Sequence, residues 1–163
     1  MIFPPLADMA RVEAVRRRFD PLAESIPAHV TLAIPFDSDV SEPDLRRHVE
    51  VAAAGIGSFA ITLDGTSCTD DHALFLHVAD GADLIETLHD RLYSGPLARH
   101  RSLQAFVPHM TIGRFNSSTA CAAALVSPQL DGLALRTVVR AVSVYRIATD
   151  GDRRIEAEVM LSG

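Results

Sequence analysis

Two short segments carry the residues best suited to chemistry: His29-Val30-Thr31-Leu32 and His109-Met110-Thr111-Ile112, placed about half the chain apart. Each has a proline upstream, Pro27 or Pro108, and apolar residues at its second and fourth positions. In an extended chain, residues two apart point to one face. Each imidazole therefore travels with a threonine hydroxyl, while Val30 or Met110 turns the other way into a core. Set side by side about a pseudo-two-fold axis, two such segments form a cleft on which two imidazoles and two hydroxyls converge. That set suits a phosphate diester. A neutral imidazole takes a proton from water or a hydroxyl, a protonated one gives a proton to a leaving oxygen, and both forms are accessible near neutral pH. The hydroxyls donate to non-bridging oxygens where negative charge grows. The scheme calls for no metal and no cofactor.

Taken singly, either histidine reads as a half-buried strand residue bonded to its neighbour, and either threonine as a β-branched strand former. The matched spacing and flanks favour proton transfer for His29 and His109, and phosphate contact for Thr31 and Thr111. His77 shares a strand face with Phe75 and could border the cleft, although an exposed or satisfied strand histidine is the simpler reading. His72, preceded by Asp70 and Asp71, reads as a turn and not as a metal site. His48, His89 and His100 fall on helix faces or in a loop, with no partner evident.

The surrounding pattern supplies the positioning elements. A helix follows Pro5 and runs to about Phe19, with Met9, Val12 and Phe19 on one stripe and Arg16, Arg17 and Arg18 as a solvated last turn. His29 to Ile34 alternates as a strand, with Val30, Leu32 and Ile34 on its apolar face. Ser41-Glu42-Pro43 opens a helix that lasts to Gly55. Strands follow near Phe59 to Asp64 and Ala73 to Val78. A helix from about Ala82 to Tyr93 ends at Ser94-Gly95-Pro96, and Leu97 to Ala105 is a loop. Val107 to Gly113 is the second motif strand, followed by an alanine-rich helix from about Ser118 to Val126. An apolar segment between Leu133 and Ile147 leads through the tight turn Asp150-Gly151 into the alternating Ile155, Ala157, Val159 and Leu161, a hairpin. Strands mix irregularly with helices and no linker interrupts them. The expectation is an α+β architecture with largely antiparallel sheets, residues 1–163 forming one domain with two lobes.

Composition narrows the choices. All fifteen basic side chains are arginine, which excludes a P-loop and Schiff-base catalysis, both of which need lysine. A net charge of −6 argues against tracking a long nucleic-acid tract, which relies on many basic phosphate contacts. Cys68 and Cys121 lack C-x-x-C spacing and read as two buried thiols. No apolar run reaches membrane-spanning length and the amino terminus lacks a secretory pattern, so a cytoplasmic protein without membrane contact is expected.

With Arg17-Arg18-Phe19-Asp20-Pro21, Pro27-Ala28-His29-Val30-Thr31-Leu32 and Pro108-His109-Met110-Thr111-Ile112-Gly113-Arg114-Phe115, the sequence resembles the 2H phosphoesterase superfamily over nearly its whole length. This superfamily includes the 2'-5' RNA ligase-like proteins and the 2',3'-cyclic phosphodiesterases. The resemblance implies a bilobal, duplicated fold with two antiparallel sheets flanked by helices around a central cleft. It implies His29 and His109 as acid and base, and Thr31 and Thr111 on the phosphate. It also suggests Arg114 as a substrate contact, which has the wrong strand parity unless a bulge intervenes at Gly113. The reading that follows is a metal-independent phosphodiesterase, expected to be a monomer. Its substrate would be a nucleotide or RNA end carrying a 2',3'-cyclic phosphate or a 2'-5' linkage. The alternatives are a ligase running the reverse reaction, a non-catalytic phosphate-binding module and a metal hydrolase. The last is disfavoured because no carboxylate sits at ligand spacing from the two histidines.

Overall fold

Helix α1 (Met9–Phe19) buries Val12 and Val15 against the second motif strand and opens the fold. The structure, a computed structural model, describes every residue except Leu6, Asp8, Ser38, Thr149, Asp150 and Gly163. Helix α2 (Glu42–Ala53) starts at Ser41, whose hydroxyl accepts the Asp44 N–H as an N-cap, with Pro43 in the first turn where a missing N–H costs nothing. It packs on helix α3 (Ala82–Leu92). Helix α4 (Ser118–Leu125) is capped by Ser117 and lies on strands β1 (Phe59–Cys68) and β2 (Ala73–Asp80).

Among the described residues six strands form two antiparallel sheets, in line with the mixed pattern of strands and helices. Strands β1 (Phe59–Cys68), β2 (Ala73–Asp80), β3 (His109–Arg114) and β4 (Leu135–Val139) make one sheet in the order β3-β2-β1-β4. Strands β5 (Ala141–Ile147) and β6 (Arg153–Met160) make the other. The apolar run from Leu133 to Ile147 is thus two strands that part company at Arg140. The hairpin is present; of its turn, Asp150 lies outside the described residues, while Gly151 has a φ of 89° that a side-chain-bearing residue rarely adopts. Alternate residues Ile61 and Leu63, Leu74 and Leu76, and Met110 and Ile112 feed one continuous core.

Four expectations about the elements and the cysteines need correction. The segment from His29 to Ile34 is not a strand. Among its described residues only Val30 pairs, with Ile2 on one side and Met110 on the other. Beyond Leu32 the chain bends away: the Leu32 carbonyl binds His89 Nδ1 at 2.8 Å and the Ile34 N–H donates to the Tyr93 hydroxyl at 3.0 Å. Ile34 is left 49% exposed instead of joining an apolar face. β1 runs on to Cys68 through a bulge at Asp64 and Gly65, where φ is 75°. The stretch expected as a loop from Leu97 begins inside a 3-10 helix, Gly95–His100. Finally, Cys68 and Cys121 are not free thiols but a disulfide that joins the end of β1 to α4.

That cross-link spans 53 residues of chain. Loop-closure entropy removed from the unfolded state for a loop of that order is worth about 2–5 kcal/mol. Reduction is therefore expected to lower the urea midpoint well outside error. Equal midpoints for oxidised and reduced protein would remove the cross-link from the account of stability.

Candidate active site

The two motifs meet through one antiparallel pair, Val30 opposite Met110, both side chains fully buried. Val30 exchanges both of its backbone hydrogen bonds with Ile2, at 2.9 Å each. The pair with Met110 is accordingly the non-hydrogen-bonded kind, in which Cα atoms come within about 4.5 Å and side chains lie closest. This register sets His29 across from Thr111 and Thr31 across from His109. All four are on the face opposite the buried pair and all are half-buried. Extending the ladder, Phe75 lies beyond Thr111 and His77 beyond His109. On the other side, the Ile2–Val30 pair puts Phe3 next to His29, ring centroids 5.7 Å apart, and Tyr145 next to Phe3 at 5.6 Å. The result is a shallow belt with imidazoles and hydroxyls in the middle and aromatic rings at its margins.

Both imidazoles are held the same way. His29 Nδ1 lies 2.8 Å from the carbonyl of Pro27, and His109 Nδ1 lies 2.6 Å from that of Val107. A carbonyl only accepts, so Nδ1 carries the proton in each ring. Nε2 is left to take a proton when the ring is neutral or to give one when it is charged. Burial pushes the pKa of His29 down, opposed by the Pro27 carbonyl and reinforced by the nearby Arg16 charge. Burial likewise pushes His109 down, opposed by the Val107 carbonyl, with His77 and Arg114 adding to the fall. The His109 ring is stacked on Phe75, centroids 3.4 Å apart and planes 13° from parallel, which fixes its tilt.

Arg114 reaches the same face by way of a bulge. Leu74 pairs with Gly113 and Phe75 with Thr111, so Ile112 is the extra residue. Parity is shifted by one, Gly113 turns to the core, and Arg114 falls on the side of Thr111. A Cβ at Gly113 would sit 3.0 Å from Phe19 Cβ and 3.1 Å from the Phe115 ring, so any larger residue there must push these two side chains back by a few tenths of an ångström. The side chain of Arg114 is 46% exposed, with Nε 3.8 Å from Asp20 Oδ1.

Behind the face lies an ionic network that the pattern of charges in α1 did not disclose. Arg16, expected in solvent, is 1% exposed. It donates from Nε and Nη2 to Asp20 Oδ2 at 3.2 and 3.0 Å, from Nη1 to the Glu13 carboxylate, and from Nη1 to the Ile26 carbonyl at 2.8 Å. Glu13 Oε1 in turn accepts the Ala28 N–H at 2.8 Å. These contacts grip the backbone on both sides of Pro27, the residue whose carbonyl orients His29. The helical spacings of Glu13, Arg16 and Asp20 were available as a signal. What was not readable is that this side of the helix end is covered.

Of the remaining histidines, four have structural partners, while His72 Nδ1 is buried without a hydrogen-bond partner among the described residues. His77 Nε2 and Ser67 Oγ share a hydrogen bond at 2.7 Å, possible because the β1 bulge turns Ser67 to this face. His89 is buried, stacked on Phe106 and bonded to Leu32; His48 Nε2 meets the Leu92 carbonyl; His100 stacks on Phe36. His72 lies in the turn between β1 and β2.

Sequence and fold are matched by known proteins. The family model of the 2'-5' RNA ligase superfamily covers residues 4–151. A protein of Halalkalibacterium halodurans named "Putative phosphoesterase BH1439" is 34% identical over 118 residues, 69% of this chain and 67% of its own length. A Geobacillus kaustophilus protein named "Putative phosphoesterase GK0864" is 32% identical over 117 residues, 70% of this chain and 66% of its own. The alignments thus span about two thirds of the curated relatives. Among solved structures, Escherichia coli LigT complexed with 3'-AMP superposes with a TM-score of 0.68 at 22% identity, covering 99% of this chain and 95% of that one. The chain belongs to the 2'-5' RNA ligase superfamily of 2H phosphoesterases, and its fold is LigT-like. Among the described residues no helix is long and apolar enough to cross a membrane.

The histidine shifts carry a sign. A ring whose folded pKa lies below its unfolded value near 6.5 binds its proton more readily once unfolded. The resulting stabilisation is complete above about pH 6.5 and is lost as the pH falls toward the lowered folded value. Ring-proton NMR should give midpoints below about 6.5 for His29 and His109. A midpoint above that for either ring would contradict the burial argument.

Proposed function

We propose that this chain is a metal-independent phosphodiesterase acting on a 2',3'-cyclic phosphate or a 2'-5' phosphodiester of a nucleotide or RNA end. The observation that carries the reading is the Val30–Met110 pair with its two identically tethered imidazoles. One ring takes a proton from water through Nε2 as the water oxygen bonds to phosphorus. The other, protonated at Nε2, gives its proton to the departing ribose oxygen as that bond breaks. Thr31, Thr111 and Arg114 donate to the non-bridging oxygens as charge grows on them. With a ribose 5'-hydroxyl in place of water, the same two proton transfers join two ends: the 5' oxygen bonds to the phosphorus of a cyclic phosphate as one ring oxygen leaves with the proton from the second imidazole. Burial of both rings supports the neutral form of the one that acts as base.

Family membership and the names of the relatives support phosphoester chemistry. LigT structures complexed with 3'-AMP, with ATP and with NADP+ support a nucleotide as the ligand class. The margin rings Phe3, Phe75 and Tyr145 suit a base or ribose face. Membership also argues for action on an RNA end over a long tract, in keeping with the acidic net charge.

Substitution of either histidine by alanine is expected to lower kcat on nucleoside 2',3'-cyclic phosphates by about 10²–10⁴ with little change in KM. Thr111→Val is expected to cost roughly 10² in kcat, a transition-state contact being lost. The pH profile should be bell-shaped with two apparent pKa values belonging to the pair, and a chelator should leave the rate unchanged. Near-normal rates in both histidine variants would overturn the proposal. Nucleotide binding without turnover in the wild type would favour a binding module, and loss of activity to the chelator a metal hydrolase.

A further inference from the structure

The buried carboxylate of Asp20 lies between two guanidiniums that belong to different halves of the site. Oδ2 takes both contacts from Arg16, the residue that grips the backbone on either side of Pro27 together with Glu13. Oδ1 accepts the Leu22 N–H at 3.0 Å and faces Arg114 Nε at 3.8 Å. The side chain of Asp20 is 4% exposed, that of Arg114 46%. One carboxylate therefore has a fixed end and a working end. Its fixed end is in the anchor of the first motif, and its working end meets the one arginine that the β3 bulge swings onto the face of Thr111.

We propose that Asp20 is a positioning residue: it aims the Arg114 guanidinium at the substrate phosphate and ties that aim to the same buried anchor that orients His29. The inference rests on the phosphodiesterase reading for what Arg114 contacts, and on the hydrogen bonds of Asp20 with its 3.8 Å ion pair to Arg114 for how the guanidinium is held. Three constraints support it. Arginine has a long, flexible stem, and an exposed one is poorly ordered unless a partner restrains it. Asp20 is itself immobilised by three hydrogen bonds, from Arg16 and the Leu22 backbone, so it acts as a rigid stop. The ion pair is made at Nε, and a guanidinium carries four further N–H donors on its two Nη atoms, a fork that a pair of phosphate oxygens accepts.

The test is a double-mutant cycle of Asp20→Asn and Arg114→Ala. The readouts are kcat and KM on a nucleoside 2',3'-cyclic phosphate and calorimetric affinity for a nucleoside 3'-monophosphate. In the wild-type background Asp20→Asn is expected to weaken nucleotide affinity by about tenfold, the scale of one charge-assisted contact. In the Arg114→Ala background the same change should weaken it by less than about twofold, because the residue it acts through is gone. Equal factors in both backgrounds would overturn the proposal, since a purely structural Asp20 acts regardless of Arg114. A second measurement needs neither activity nor a variant: the Arg114 Nε–H cross-peak in the wild type should be resolved and protected from exchange, and its absence would also overturn the proposal. If the wild type neither turns over nor binds a nucleotide, the phosphodiesterase reading fails on its own. The hold of Asp20 on Arg114 is then decided by that cross-peak and by whether it vanishes in Asp20→Asn.

Discussion

A single antiparallel contact, Val30 against Met110, governs everything the two motifs can do together. Because side chains alternate strictly along an extended chain, burying these two residues forces their neighbours onto the opposite face. A slip of one residue in either segment would put an apolar side chain among the imidazoles and an imidazole in the core, a cost that fixes the register. On its other side Val30 is paired to Ile2, and Met1 is bonded to Ser143 of β5. The first motif therefore also serves as the seam between the four-stranded and two-stranded sheets. It spans the two sheets with one paired residue, which leaves its flanks free to turn into loops.

Departures from regularity aim the other groups. The bulge at Ile112 swings Arg114 across the plane of β3, and the bulge at Asp64 and Gly65 does the same for Ser67 in β1. In both places glycine solves a local problem. Gly65 adopts the left-handed conformation, and Gly113 allows Phe19 and Phe115 to close over the backbone. Regular strands would have sent both polar side chains into apolar packing.

Arg16 shows what burial of charge demands. A guanidinium withdrawn from water is tolerated only when its donors are met, and here two carboxylates and a backbone carbonyl meet them. The network's position explains its presence better than any net gain in stability does. It fastens helix α1 to the proline turn that delivers His29, and through Asp20 it reaches the second half of the site.

Much of this was legible without coordinates. The helices from Met9, Glu42, Ala82 and Ser118 follow from capping residues and apolar spacing, and the face shared by His29 with Thr31 and by His109 with Thr111 follows from parity. These are local properties, set by neighbours within a few residues. Three things were decided elsewhere. Whether His29 to Ile34 becomes a strand depends on partners, and only Ile2 and Met110 arrive. Whether Arg16 is wet depends on what the residues from Asp20 to Ala28 fold over. Whether Cys68 meets Cys121 depends on where α4 docks. The amino-acid order fixes what each residue offers and which way it points along its own segment. Proximity between segments distant in the chain is set by the shared core, whose burial is a property of the whole fold.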